Sequence, residues 1–553
     1  MSRRRAAARA GAVGLLLVAT GATGVAGGGE ARDGKGRLTG AAFVTNGKDE
    51  VPGHSYTSPV VIVDPDDPRK LYAAAVEIRT EACVLFRSSD AGRSWTKATA
   101  SPAPAAFPKC THDNGFVPMS AVAMGREGTL YYFHIGWDAQ DGGRSENRSV
   151  FLARTRDFGE TWESTPVNVN RGKTGDDIEK NVPSDLVVDT SGEQDVVIVS
   201  YTASYPNPST PPTRPGQPFV ATSTDGGRTF GPPVNISTSW YDNAANLPSE
   251  APEGARKKEN FGGSGSNLAV AGDGAIYATW NRSQANVTPP PPPSTQLAVS
   301  TDKGRTWTSS VLHAGNANQT GPGNGLQLAW SSHGADNGTL HAVWEGRLVT
   351  YQGDRDVLYR RSLDGGRSWS EPVLLNDDDP NQYFAQYQPN IAVAPGGRLE
   401  VVWWDFRGSE GLISNDVYGA TSTDSGATWS RNFRVTDQLI NRRIGVWKPG
   451  FGGDVRQAPG VAANDRLSVV VWDDTRNGDL QTETTDLYAA TVQYEALPRT
   501  SGLAPGAGYA LAAVIGVAGV GLLMVIAAAA TRGRRAPGTG APATPGREPM
   551  EVA

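Results

Sequence analysis

Ser300-Thr-Asp302-Lys-Gly304-Arg-Thr-Trp307 is one of six copies of a single octapeptide. The others are Ser88-Ser-Asp90-Ala-Gly92-Arg-Ser-Trp95, Thr155-Arg-Asp157-Phe-Gly159-Glu-Thr-Trp162 and Ser223-Thr-Asp225-Gly-Gly227-Arg-Thr-Phe230. Ser362-Leu-Asp364-Gly-Gly366-Arg-Ser-Trp369 and Ser422-Thr-Asp424-Ser-Gly426-Ala-Thr-Trp429 complete the set. Their shared glycines stand 67, 68, 77, 62 and 60 residues apart, the mark of a repeat architecture. The Asp carboxylate accepts hydrogen bonds from N–H groups of its own turn, and Gly two places on takes a positive φ. The aromatic that follows packs beneath the turn. Six copies of one acid read as a structural staple rather than a catalytic centre.

Short runs rich in Val, Tyr and Trp precede each turn, as in Gln388–Ala394, Arg398–Trp404 and Asp416–Thr421. They read as antiparallel strands, and three strands, the turn and a fourth strand make one blade. A last copy, Gly460–Ala463, Leu467–Trp472 and Asp486–Val492, has neither the turn nor a fourth strand. Gly40–Thr45 is the candidate for the missing strand, and closing the ring with it removes both open sheet edges. The expectation is an all-β propeller of four-stranded antiparallel blades over residues 37–494, with seven blades.

The octapeptides are Asp-boxes and resemble those of the sialidase superfamily of β-propellers. That resemblance favours six blades over seven and implies a glycoside hydrolase acting on extracellular glycans. In such enzymes three arginines clamp the carboxylate of sialic acid beside a Tyr nucleophile activated by Glu, with an Asp acid/base. The resemblance also places the Asp-boxes on the face away from substrate. The Arg-Ile-Pro motif of the first arginine is absent; its nearest counterparts are Phe116-Val-Pro118 and Asn181-Val-Pro183.

On the opposite face, acids closely followed by Arg leave the second strands as Glu77-Ile-Arg79, Glu345-Gly-Arg347, Asp405-Phe-Arg407 and Asp473-Asp-Thr-Arg476. Arg282 and Asp138 hold the same place in two further repeats. Either these arginines converge on an anionic ligand, or they form a ring of structural ion pairs between blades. Tyr383 and Tyr387 lead into the sixth blade and reach the mouth, as sugar-stacking rings or as loop packing. His112-Asp113 offers an acid/base pair or a loop hydrogen bond. Proline-rich 205–218 and 289–293 form stiff loops on the same side.

The chain has 553 residues and a formal charge of −6, which argues against a nucleic-acid partner. Residues 1–26 read as a secretory leader: Arg3-Arg4-Arg5, an apolar core and a small-residue finish. Residues 509–530 carry no charge, span a bilayer in length and precede Arg532, Arg534 and Arg535, leaving 531–553 as an inner tail. The linker 495–508 holds Leu497-Pro498-Arg499-Thr500-Ser501-Gly502, which resembles a sortase signal, with Ser501 where that pattern has Gly. The expected protein is exported and held at the cell surface by one span, or covalently on the cell wall. Its partner is an extracellular glycan or protein; the alternative to hydrolysis is a binding propeller. Cys83 and Cys110, the only cysteines, are expected to form one disulfide. No metal or cofactor is expected: Asp377–Asp379 and Asp64–Asp67 lack calcium-loop spacing, and no phosphate-binding glycine loop opens a helix.

Overall fold

Seven four-stranded antiparallel sheets form in chain order. The computed structural model describes residues 36–45, 54–110, 121–136, 149–169, 180–205, 214–237, 261–285, 294–314, 326–335, 338–346, 355–379, 384–409, 413–445 and 458–494. All of them belong to the compact unit Met1–Leu497. The expected leader (1–26), the span 509–530, the tail 531–553 and all of 495–508 lie outside the described residues. Among the described residues no helix is long and apolar enough to cross a membrane.

In the sixth blade the strands are Gln386–Val393, Leu399–Asp405, Ser414–Ser422 and Phe433–Arg434. The other blades repeat this order, and each first strand lies against the first strand of the next blade, the seventh against the first. Second strands are almost wholly buried because both faces meet a neighbouring blade. Four of their tryptophans, Trp280, Trp344, Trp403 and Trp472, are at most 1% exposed, each packed towards the preceding blade. Burying a ring of that size is the largest apolar contribution a single residue makes to each interface.

The seventh blade supplies only Gly460–Ala463, Leu467–Asp474 and Asp486–Gln493. Its outer place is taken by Arg37–Leu38 and Ala42–Phe43, both paired with Asp486–Gln493. Phe43 stacks on Tyr488 at 5.0 Å, and Thr45 donates to Asp486 Oδ1 at 2.7 Å. The ring is closed by the N-terminal segment, with seven blades rather than six.

The Asp-box turns repeat one hydrogen-bond pattern. In the fourth blade, Ser300 Oγ donates to Asp302 Oδ1 at 2.8 Å and accepts from Gly304 N at 2.9 Å. Asp302 in turn accepts from the Thr306 backbone N–H and hydroxyl at 2.9 and 2.6 Å. Gly304 has φ +81°, and a Cβ there would come within 2.6 Å of Thr222 Oγ1 in the third blade. A Cβ on Gly159 would stand 2.8 Å from Leu85 of the first blade, and one on Gly426 would run into the Tyr359 hydroxyl of the fifth. The turns are therefore docking points between blades as well as staples within one. Third-strand arginines add to the contact: Arg154 Nη1 donates to Gly226 O at 3.2 Å, and Arg361 Nη1 to Ser425 O at 2.7 Å.

The seventh blade has no such turn to lay on the sixth, and a buried polar cluster stands in its place. Arg398, 1% exposed, donates to Asn464 O at 2.8 Å and Ser468 Oγ at 3.0 Å, and its guanidinium lies 3.7 Å from the Tyr494 ring centre. Tyr494 Oη donates to Glu400 Oε2 at 3.0 Å. Burial raises the Glu400 carboxyl above its ordinary value.

Two outcomes are expected. Gly426→Ala places a side chain at φ +76° and against Tyr359; strain and overpacking together should lower unfolding free energy by about 2–4 kcal/mol in urea titrations. The second concerns acid. Thr161 and Thr306 hydroxyl bonds hold Asp157 and Asp302 at about 2. Burial raises Asp225 and Asp364, but hydroxyl and backbone bonds outweigh it and bring them to about 2 as well. Carboxyls depressed on folding stabilise fully above their ordinary value near 4 and cease to do so as pH falls through about 2. Melting temperature should therefore fall between pH 4 and 2, and less steeply in Asp364→Asn.

Candidate functional site

Antiparallel pairing puts the loops after second strands and those leading into first strands on the face opposite the Asp-boxes. The first strands are irregular there. Register shifts interrupt them at Thr57/Val60, Pro183/Asp185, Ser264/Ser266 and Tyr387/Asn390. Ser58 and Gln388, each before a proline, take φ 55° and 51°. Bulges of this kind re-aim side chains and backbone donors. Here the Gln388 N–H reaches Glu345 Oε2 of the preceding blade at 2.9 Å. At the second of these strands, burial pushes the Asp185 carboxyl up to about 7 although the Leu268 and Leu186 N–H groups bond it.

The structure separates the arginines named from sequence. Arg407 is fixed by Asp405, through Nε at 3.0 Å and Nη2 at 2.8 Å, and by Asp377 Oδ1 at 2.7 Å. Its guanidinium lies 4.3 Å from the Tyr418 ring centre, in the groove between blades five and six. Burial opposes its charge, but the bonds to Asp405 and Asp377 outweigh this and hold it above its ordinary value. Arg476 repeats the arrangement between blades six and seven, with Asp474 at 2.8 Å, Asp437 at 2.7 Å and Tyr488 beneath it. Its partner is Asp474 and not Asp473, which is fully buried and accepts from Thr57 Oγ1 at 3.4 Å. In both grooves a tryptophan two residues earlier donates to the acid: Trp403 to Asp405 at 2.8 Å, Trp472 to Asp474 at 2.9 Å. Trp-x-Asp-x-Arg was legible in the sequence and identifies the locked pairs.

Arg79 is exposed and its Nη2 donates to Thr482 O, while Glu77 accepts the Ser55 N–H at 2.9 Å and caps its own turn. Arg282 is buried in the second strand of blade four, 6% exposed. Arg347, Tyr383, His112, Asp113, Asp138 and most of both proline-rich loops lie outside the described residues.

The mouth instead assembles around an arginine that sequence reasoning missed. Arg355, just before the third strand of blade five, donates to Glu345 Oε1 at 2.7 Å. Its guanidinium lies 5.0 Å from the ring centre of Tyr387, which meets Phe406 edge-on at 5.6 Å. Arg442 stands 5.5 Å from Phe406 on the far side. In the row Arg355, Tyr387, Phe406, Arg442 a cation stands at each end of two rings, of which Phe406 is buried, as is Glu345. Beside it Gln386 is wholly buried, and its side-chain amide N and O have no hydrogen-bond partner among the described residues. Such a row offers planar donors for carboxylate or hydroxyl oxygens and a ring face for a pyranose.

Among the described residues Cys83, Cys110 and His134 are the one grouping with metal-ligand reach. The two sulfurs are bonded to each other, so neither is a thiolate donor. Burial pushes the His134 ring down to about 4.

The family of BNR repeat-like domains matches residues 31–321, more than half of the chain, and the protein belongs to it. Its six Asp-boxes stand on a seven-bladed ring. Three of the solved structures that resemble it follow. A Hadza microbial sialidase shares 13% identity over 77% of this chain and 74% of its own, with TM-score 0.42. A Dyadobacter fermentans protein of unknown function shares 13% over 83% and 100%, with TM-score 0.41. An α-L-arabinanase of Penicillium chrysogenum shares 12% over 66% and 93%, with TM-score 0.38. No curated protein matches the chain.

Arg407→Ala should lower unfolding free energy by about 3 kcal/mol, because Asp405 is left buried without its cation. Arg79→Ala, at an exposed backbone contact, should stay within about 0.5 kcal/mol in the same denaturant titration.

Proposed function

We propose that the protein is an exported glycan-recognition propeller of glycoside-hydrolase-like fold, held at the cell surface and working through the mouth opposite its Asp-boxes. The row from Arg355 to Arg442 carries this reading: two guanidiniums flank the partly exposed Tyr387 and the buried Phe406 on the face opposite the Asp-boxes, with Tyr387 as the ring open to a sugar. Export is supported by the Cys83–Cys110 bond, which persists in oxidising compartments, and by the leader and apolar stretch read in the sequence. Membrane anchoring through 509–530 is preferred to wall attachment at Leu497–Gly502, whose sorting pattern is imperfect.

Sialidase-type exo-hydrolysis is the second reading. Glu345, Arg355 and Tyr387 gather an acid, a cation and a phenol in one place. Two features favour binding over it. Both Glu345 oxygens are already engaged, by Arg355 and the Gln388 N–H, and Arg407 and Arg476 are tied into grooves where they cannot complete an arginine clamp.

Full-length protein on a glycan array should retain a defined set of glycans and lose them in Tyr387→Ala, which spares the Glu345–Arg355 pair, and in Arg355→Ala. Fluorophore release from sialoside or arabinoside substrates, abolished by the same changes, would assign hydrolysis. Neither retention nor turnover on any glycan, or retention unchanged in both variants, would reject the mouth as the site.

A further inference from the structure

We propose a second ligand site on the Asp-box face, in the groove between blades two and three, that binds a small anionic sugar. A cavity of about 340 Å³ opens there, the size of a pocket for one or two sugar rings. Four arginines line it: Arg126, Arg154, Arg156 and Arg228. The protein as a whole is acidic, so this concentration of guanidinium groups needs a local cause.

Arg154 has one. It is the latch that this position also provides in Arg87 and Arg361, bonding the Asp-box turn of the next blade, and Glu163 balances its charge at 2.9 Å. The other three are held differently. Arg126 Nη1 donates to Gly192 O at 2.7 Å and also to Thr190 O. Arg228 Nη1 donates to Asp225 O at 2.7 Å. Arg156 Nε donates to Thr129 Oγ1 at 3.0 Å, with Glu127 no nearer than 3.7 Å. Carbonyl and hydroxyl oxygens orient a guanidinium but leave its charge standing. Arg407 and Arg476, by contrast, each meet two carboxylates within 3 Å.

The floor of the groove is rigid. Asp195, 7% exposed, accepts the Tyr131 hydroxyl at 2.8 Å and the Arg126 N–H at 3.1 Å. Thr161 and the exposed carboxylates of Glu127 and Glu193 also line it. Guanidiniums recognise an oxyanion in a planar, bidentate manner, while carboxylates and hydroxyls bind sugar hydroxyls. The mixture selects one acidic group on a hydroxylated body, whether carboxylate, sulfate ester or phosphate ester.

Calorimetry on the full-length protein tests this with glucuronate, glucose 6-sulfate and glucose 6-phosphate, and with glucose as the uncharged control. At least one acid should bind tenfold or more tightly than glucose, weaken with added salt, and lose at least tenfold in the double variant Arg156→Ala, Arg228→Ala. The best of the three names the source of the anion. Tyr387→Ala at the mouth should leave that affinity unchanged, so the two sites stand or fall separately. Equal affinity for glucose, an unaltered double variant of normal melting temperature, or loss in Tyr387→Ala alone would overturn the proposal.

Discussion

The ring rests on a contact in which the absence of an atom matters most. Each Asp-box glycine turns through positive φ and sets its bare Cα against the third strand of the blade before it, so that a methyl group there would collide with Leu85, Thr222 or Tyr359. The Asp carboxylate and the Ser or Thr hydroxyl make the turn rigid, and rigidity makes the close approach reproducible. Seven apolar clusters, one for each interface, supply the cohesion. The turns determine where each blade stops.

Where the turn is missing, between blades six and seven, the fold uses a costlier solution. Arg398 and Glu400 are both buried and 4.0 Å apart, joined through Ser468 and Tyr494 rather than by a tight pair. Charges held so far from water contribute little net stability and serve mainly to fix geometry. The same interface carries Arg476, and the interface before it carries Arg407, so the two locked arginines lie on either side of blade six.

The architecture was legible because its signals are local and repeated: six octapeptides, period-two strands, and a Gly40–Thr45 segment whose only use is to complete a blade. The site was less legible. Arg407 and Arg476 share a spacing with their tryptophans that marks them as groove residues, yet spacing from the second strand alone makes them look like Arg79 or Arg347. Arg355 precedes a third strand with no motif around it; only the fold brings it to Glu345 and Tyr387. The direction in which a bulge aims Gln388 depends on a positive φ before proline that no pattern announced. The boxes hid one more role, since their contacts with the preceding blade join residues about a whole repeat apart.

Arg37 lies opposite Gln493 in the closing sheet, and Gly36 sits against the ring of Tyr494. The propeller thus receives and releases its chain at one spot on the Asp-box side. A short bridge between these neighbours would make the polypeptide circular, and any exposed turn on that side becomes a place to open it again. The order in which the blades are threaded is then a matter of genetic history, and a permuted gene beginning at another turn should encode the same object.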